Sequence, residues 1–440
     1  MHQQILPRAS PGRKALSSFV CQSCRRSIRR FSASTVRRGG APPPPPSGYA
    51  HLSSRKLISV AGPDAPKFLH GIITRSVVAE PSSSSGRRLN TPKTDAASLA
   101  AGVPGFYSAF LNATGRVLHD VFVYRDTLGL SGGAGADGEA FVIEVDAEQV
   151  DNLAKHIKRY KLRSKLTCRV LDEGECAAWQ VWDSSSSSLA TSPPTLVTQP
   201  PQLKDSIITP DTRAPGMGFR ILRLGDGAGH LDLDLEKSDD TAYRIHRYLL
   251  GVAEGQAEIP REQALPLEAN MDVAGGIDFR KGCYVGQELT IRTRHRGVVR
   301  KRILPCLLYP STPSSSPSPP QKLEYSPRIG GEQGQEMSAE DVPSGLSIGR
   351  DGAKGRSAGT WLRGVGNVGL ALCRLQIMTD VELPGETAVA APFDPNKNEF
   401  VVKWGADEES GDGQAVKIKA FVPDWLREKL GEDRNSGSGH

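Results

Sequence analysis

The chain has 440 residues, more than one ordinary core accommodates, and its 38% hydrophobic and 24% charged content excludes a fibrous or wholly disordered chain. With 46 glycines and 32 prolines, much of it must be turns, loops and inserts. The formal net charge of +6 sits at the N-terminus: nine Lys or Arg precede residue 39 and the first acid is Asp64, which leaves 46 basic against 49 acidic residues downstream and no claim on nucleic acid.

Residues 1–40, Arg-rich, Ser-containing and free of acids, read as a mitochondrial transit peptide, with a matrix-type processing site at Arg29-Arg30-Phe31-Ser32. The alternative is a disordered basic arm that binds RNA or an anionic membrane. Cys21 and Cys24 form a CxxC inside this leader, without a second pair at zinc-ribbon spacing. Residues 41–49 are a Pro-rich linker. Three low-complexity stretches, 81–101, 184–202 and 311–320, cannot bury a core and read as surface inserts. No apolar run spans a membrane; the nearest, Ala96 to Gly115, is broken by Gly102, Pro104, Gly105 and Asn112.

Between the inserts the pattern alternates strand, helix and hairpin. Lys56 to Val60 reads as a strand, and Gly62-Pro63-Asp64-Ala65 opens a helix carrying Phe68 and Leu69. Phe106–Leu111 and Val117–Tyr124 flank a turn and form a hairpin, and Phe141–Val145 adds a strand. Asp146 caps a helix on which Val150, Leu153, Ile157 and Tyr160 share a face. Strands follow at Thr167–Leu171, Ala177–Trp182 and Phe219–Leu224, then a helix at Thr241–Leu250. Short strands at Val368–Leu372, Phe400–Trp404 and Val416–Phe421 suggest a β-barrel in residues 306–427, followed by a disordered tail, 428–440. The class is α+β.

The densest chemistry lies in Gly275-Gly276-Ile277-Asp278-Phe279-Arg280-Lys281-Gly282-Cys283-Tyr284-Val285-Gly286-Gln287-Glu288. Gly282 and Gly286 permit close backbone approach, Arg280 and Lys281 would favour a thiolate at Cys283, and Gln287-Glu288 follow one helical turn on. A buried structural cysteine is the alternative. Downstream, Arg292, Arg294 and Arg296 alternate and on a strand would form one row suited to carboxylates or phosphates, or else a solvated edge. Gly364-Val365-Gly366-Asn367-Val368-Gly369 matches GxGxxG but leads into a strand, so a dinucleotide site is not expected. A Cys283–His295 dyad has nothing to orient the histidine.

Lys281-Gly282-Cys283-Tyr284-Val285-Gly286-Gln287-Glu288 resembles the K-G-C-Y-x-G-Q-E signature of the YgfZ-type folate-binding family, whose members are related to glycine-cleavage aminomethyltransferases. Asp64–Gly71, Asp211-Thr212-Arg213 with Met217-Gly218-Phe219-Arg220, the Tyr243–Gly255 stretch and Leu267–Asn270 resemble further family passages, so the likeness covers residues 50–427 outside the inserts. It implies two α+β subdomains around a folate-sized channel, within residues 50–305, and a C-terminal β-barrel. It implies a mitochondrial matrix factor, more an assembly factor than an enzyme, for maturation of 4Fe-4S proteins of the aconitase and radical-SAM lipoate synthase types, acting with A-type scaffold proteins. Cys283 would be a ligand to a transient cluster completed by a partner's cysteines, since one thiolate fills only one position. Tetrahydrofolate or a derivative would be met by Asp120, Arg213, Arg292 and Arg294. Aminomethyltransferases carry two acids where this chain has His119-Asp120, which puts a folate-dependent aminomethyl transfer, the alternative activity, in doubt.

Overall fold

The computed structural model describes residues 40–77, 104–132, 140–183, 203–227, 229–311, 319–330, 337–352, 355–383, 393–395, 397–405 and 413–437. Apart from Gly40, the expected leader lies outside the described residues, as do nearly all of the three low-complexity stretches.

In chain order, the first half holds β1 (Ser47–His51), β2 (Arg55–Ala61), α1 (Ala65–Ile72), β3 (Gly105–Leu111), β4 (Val117–Arg125), β5 (Ala140–Asp146), α2 (Val150–Tyr160) and β6 (Thr167–Val170). Next come β7 (Cys176–Asp183), β8 (Ser206–Pro210), β9 (Phe219–Leu224), β10 (Glu236–Ser238), α3 (Asp240–Leu250) and α4 (Gln287–Arg296). The last part holds β11 (Lys301–Tyr309), β12 (Ser347–Arg350), β13 (Gly359–Val365), β14 (Val368–Arg374), α5 (Leu375–Met378), β15 (Phe400–Trp404), β16 (Gln414–Ala420) and α6 (Asp424–Gly437).

These elements make two five-stranded sheets, ordered β3-β4-β5-β2-β6 and β10-β1-β7-β9-β8, and a closed barrel ordered β11-β14-β13-β12-β15-β16. The α+β architecture with a C-terminal barrel is as expected. The first sheet packs its apolar face on α1 and α2. Phe68, Leu69 and Ile72 of α1 meet Val150, Leu153 and Ile157 of α2 in one buried cluster with Val121 and Ile143, each large side chain contributing roughly 2 kcal/mol of burial. Asp146 accepts from the Glu148 amide and starts the helical segment through a short 3-10 turn. Tyr160, expected on the apolar face of α2, is instead 38% exposed and stacks on His156.

The opposite face of the first sheet is continuous with the second sheet and with α3 in a larger core that includes Tyr107, Phe122, Trp182, Tyr243 and Leu370. The interior helix α3 is capped by the Asp239 carboxylate and ended by Gly251 at φ 76°; it buries Tyr243, His246, Arg247 and Tyr248.

Three local expectations change. The proline run is anchored rather than a free linker: the Ala41 carbonyl accepts the Tyr325 hydroxyl, the Pro45 carbonyl accepts the Trp182 indole N–H, and β1 begins at Ser47. Residues beyond 428 continue α6 to Gly437 instead of starting a tail. Thr290 to Arg296 is helix, not strand, because Gly286 starts a helix that simple alternation of arginines cannot exclude. The GxGxxG match falls in the β13–β14 hairpin as expected; a Cβ at Gly369 would lie 2.3 Å from the Trp361 ring, which accounts for that glycine by packing.

Burial makes acid a specific threat to this core. His246 stacks on Trp182 and donates from Nε2 to the Gly216 carbonyl at 3.0 Å, and burial lowers its pKa to about 4. Burial lowers His119 to about 3. Both therefore fold neutral but bind a proton near pH 6.5 when unfolded, so stability is full above that pH and falls below it. The expected loss is on the order of 2 kcal/mol per histidine by pH 5. Urea unfolding at pH 7 and pH 5 checks this; an unchanged difference in His246→Gln would show that His246 is not a source.

Candidate functional site: an exposed thiol on a stapled loop

The signature loop is built on the C-terminal end of α1. The Thr74 carbonyl accepts the Asp278 amide at 3.0 Å, Thr74 Oγ1 donates to the Gly276 carbonyl at 2.6 Å, and the Gly71 carbonyl accepts the Val285 amide at 3.1 Å. Lys281 Nζ donates to the carbonyls of His70, Ile73 and Arg75 at 2.5, 2.7 and 3.2 Å. Its ammonium lies 4.8 Å from the centre of the Tyr284 ring. Burial lowers the lysine to about 7, opposed by the charge of Asp278. Lys281 is thus committed to main-chain carbonyls, and the expectation that it serves chiefly to favour a thiolate at Cys283 is replaced by a structural tie.

Gly286 takes φ 79° as the residue that begins α4, and a Cβ there would stand 2.2 Å from the Asn112 carbonyl oxygen in the β3–β4 turn. Gly282 is different: it is exposed, and an added Cβ would meet only His70 Nε2 at 3.7 Å. Gln287 accepts the Tyr284 amide through Oε1 at 3.2 Å, and Glu288 is exposed in the first turn of α4. Cys283 is the exposed one of the five described cysteines. Cys306 and Cys373 are buried in the barrel, and burial pushes Cys168 to about 11 and Cys176 to about 12.

A second polar centre lies between the two sheets and α3. Arg213 is held bidentately by Asp211 and also donates to Glu254 at 2.7 Å and to the Tyr243 hydroxyl at 2.9 Å. Arg220 pairs with Glu254 and lies 3.4 Å from Glu144. Arg55 donates to Glu144 at 2.8 Å, and Arg247 to Glu258 at 2.7 Å. Burial works against the charge on Glu254, but Arg220, Arg213, Arg55 and Arg247 outweigh it and hold that carboxyl well below the usual carboxylate range. A polar cleft of about 350 Å³ reaches this centre, lined among others by Ser54, Arg55, Asp146, Arg247, Glu254 and Arg363.

Asp120 belongs to this centre. It accepts from the Gly255 amide and from Gln256 through Oδ1, while Oδ2 is buried without a hydrogen bond, 3.7 Å from Arg55 Nη1. Burial raises its pKa, with the Arg55 charge opposing. The cleft is lined by Arg55 and Glu254 but not by Asp120, which is fully buried beside Arg55. Arg213 has its donors engaged by protein. Arg292 and Arg294 are exposed on α4, two positions apart and so on different sides of a helix, with Arg294 over the Phe279 ring. The expected row of arginines is therefore absent, and the four residues expected at one ligand divide into a buried pair and a surface pair.

Sequence reasoning found the loop and Asp120 but not Arg55, Glu144, Glu254 or Glu258 as one network. Its partners are far apart in sequence, and only Asp211-Thr212-Arg213 shows a local pairing pattern.

Residues 300–428 match the family model described as the CAF17 C-terminal beta-barrel domain. A Pyricularia oryzae protein named as the mitochondrial iron-sulfur cluster assembly factor IBA57 homolog is 52% identical over 415 residues, covering 94% of this chain and 93% of that protein. The chain belongs to the IBA57 family. IBA57 homologs of Chaetomium globosum and Neurospora crassa are 49% and 44% identical, over 91% and 96% of this chain and 88% and 91% of theirs. Membership in the IBA57 family makes the protein mitochondrial. The glycine cleavage system aminomethyltransferase T of Bartonella henselae has a similar fold, with a TM-score of 0.51 at 13% identity over 86% of each chain. Among the described residues no helix is long and apolar enough to cross a membrane.

Proposed function

We propose that the protein acts in the mitochondrial matrix as an assembly factor that lends the Cys283 thiolate to an iron–sulfur cluster shared with an A-type scaffold protein, for delivery to 4Fe-4S clients of the aconitase and radical-SAM lipoate synthase types. The observation that carries this reading is that the signature cysteine is exposed on a fastened loop, whereas the other described thiols are partly or wholly buried. One thiolate cannot complete a site, so the partner supplies the rest. The cluster is cargo in this scheme.

A tetrahydrofolate in the central cleft is part of the same proposal. Asp120 would accept from its heterocycle and Arg55 would neutralise the carboxylate behind it, while the folate itself would supply a redox-active or one-carbon-bearing ring. Transfer of a one-carbon unit is the second reading. It is favoured by the Asp120 oxygen that accepts no hydrogen bond and weakened by His119, which burial keeps neutral.

Mixing the mature chain with an A-type scaffold, ferrous iron, sulfide and reductant should give visible cluster absorbance and a mixed complex on gel filtration that neither protein gives alone. Calorimetric titration with tetrahydrofolate should show binding that Asp120→Asn weakens about tenfold, the worth of one hydrogen bond to a charged group. Clusters confined to the scaffold would remove the assembly reading; absent folate binding would remove the cleft assignment.

A further inference from the structure

Cys283 is the middle residue of a five-residue arch, 281–285, whose two feet rest on the last turn of α1 and the chain just after it. On one side, two residues before the cysteine, Lys281 Nζ reaches the carbonyls of His70, Ile73 and Arg75. On the other, two residues after it, the Val285 amide reaches the Gly71 carbonyl. We propose that Lys281 is a positioning residue: its side-chain amine gathers carbonyls at and just beyond the end of α1 and so sets where, and in what direction, the Cys283 sulfur meets the shared cluster. This inference rests on the thiol reading above and adds a residue to it.

The chemistry favours a lysine here. The His70 carbonyl belongs to the last turn of α1, where carbonyls have no partner within the helix and carry the negative end of its dipole, and the Ile73 and Arg75 carbonyls follow on the chain just beyond it. When protonated the amine presents three donors in a compact head, enough for three converging oxygens, whereas a guanidinium is a flat fork suited to a carboxylate. Among the described residues this group forms no salt bridge to a carboxylate; it meets the three carbonyls and the face of Tyr284. Lys281 is 9% exposed, so the tie is largely shielded from water. A ligand arch ordered in advance lowers the entropy lost when a second protein must bring its own sulfurs to the same iron atoms. The exposed Gly282 between tie and thiol leaves the approach open.

The experiment uses the mature chain with an A-type scaffold, iron, sulfide and reductant, comparing wild type, Lys281→Met, Lys281→Gln and Cys283→Ala. Thermal unfolding, cluster yield, the visible circular dichroism of the cluster and the alkylation of Cys283 by iodoacetamide are read on each. Lys281→Met keeps the stem and removes all three hydrogen bonds. It should fold, leave Cys283 alkylatable, cut the yield of shared cluster at least tenfold and change the dichroism of what forms. Lys281→Gln, with two donors, should fall between. The dichroism is the readout that a mere loss of stability would not move.

Wild-type yield and spectrum in both lysine variants would overturn the inference while Cys283→Ala, failing to assemble, would keep the thiol reading. If Lys281→Met does not fold, Lys281→Gln decides on the same criteria, and failure of both to fold would assign the residue to stability alone and overturn its positioning role. A Cys283→Ala variant that gives the wild-type cluster would overturn both readings.

Discussion

Replacing Glu254 with leucine should cost on the order of 3 to 5 kcal/mol, the range for removing one member of a buried ion network. Glu254 is the point at which the network converges. Its Oε2 accepts from Arg213 at 2.7 Å, from the Tyr243 hydroxyl at 2.9 Å and from Arg220, and Arg247 approaches its other oxygen at 3.9 Å. After the substitution Arg213 retains Asp211 and Arg220 retains Glu144, but four buried guanidinium groups face one carboxylate fewer. Glu254→Gln keeps the shape and should cost less. The pH behaviour separates charge from packing. A carboxyl held below its usual range adds stability that is full above pH ~4.5 and is lost progressively as pH falls from there to its lowered folded value. The glutamine variant should therefore show a shallower acid limb than wild type. Urea unfolding from pH 7 down to about pH 2.5 measures both effects. A loss under 1 kcal/mol for the leucine variant would show that the remaining carboxylates suffice.

Replacing Cys283 with alanine should have the opposite profile, with unfolding changed by less than about 0.5 kcal/mol because the side chain is exposed, and shared cluster assembly abolished. Thermal unfolding and visible absorption on one preparation give both numbers. An alanine variant that assembles the cluster like wild type would remove Cys283 from the ligand set. One that loses several kcal/mol would return it to a structural role.

What was legible in the sequence follows from the range of the interactions involved. The β3–β4 hairpin, the amphipathic face of α2 and the strand after Gly369 are local patterns, visible within a dozen residues. The signature loop was visible as residue types, but not the function of each type. Lys281 was read by its neighbour in sequence, Cys283, whereas its contacts lie at His70, Ile73 and Arg75. Such a tie has no local signature. Arg292 and Arg294 show the complementary failure, since an alternation without an apolar face fits either a strand or an exposed helix, and the αL turn at Gly286 decides for the helix. The buried network lay wholly beyond sequence reasoning in its pairings. Arg55 and Glu144, 89 positions apart, become neighbours only when β2 pairs with β5.

The path of the chain through β1 has a bearing on how the protein reaches its folded state. Ser47 pairs with Asp183 and Gly48 with Glu236, so the first strand is an inner strand of a sheet whose other members come from much later in the chain. A polypeptide threaded through a membrane pore from its N-terminal end would deliver β1 first and its two flanking strands, β7 and β10, well over a hundred residues later. Until about residue 183 had emerged both edges of β1 would lack their partners, and until about residue 238 one of them still would; an unpaired strand edge is a template for pairing with other chains. The second sheet can thus close only after the first sheet's residues have passed, and holding β1 apart from other proteins during that interval becomes a task for the compartment that receives the chain.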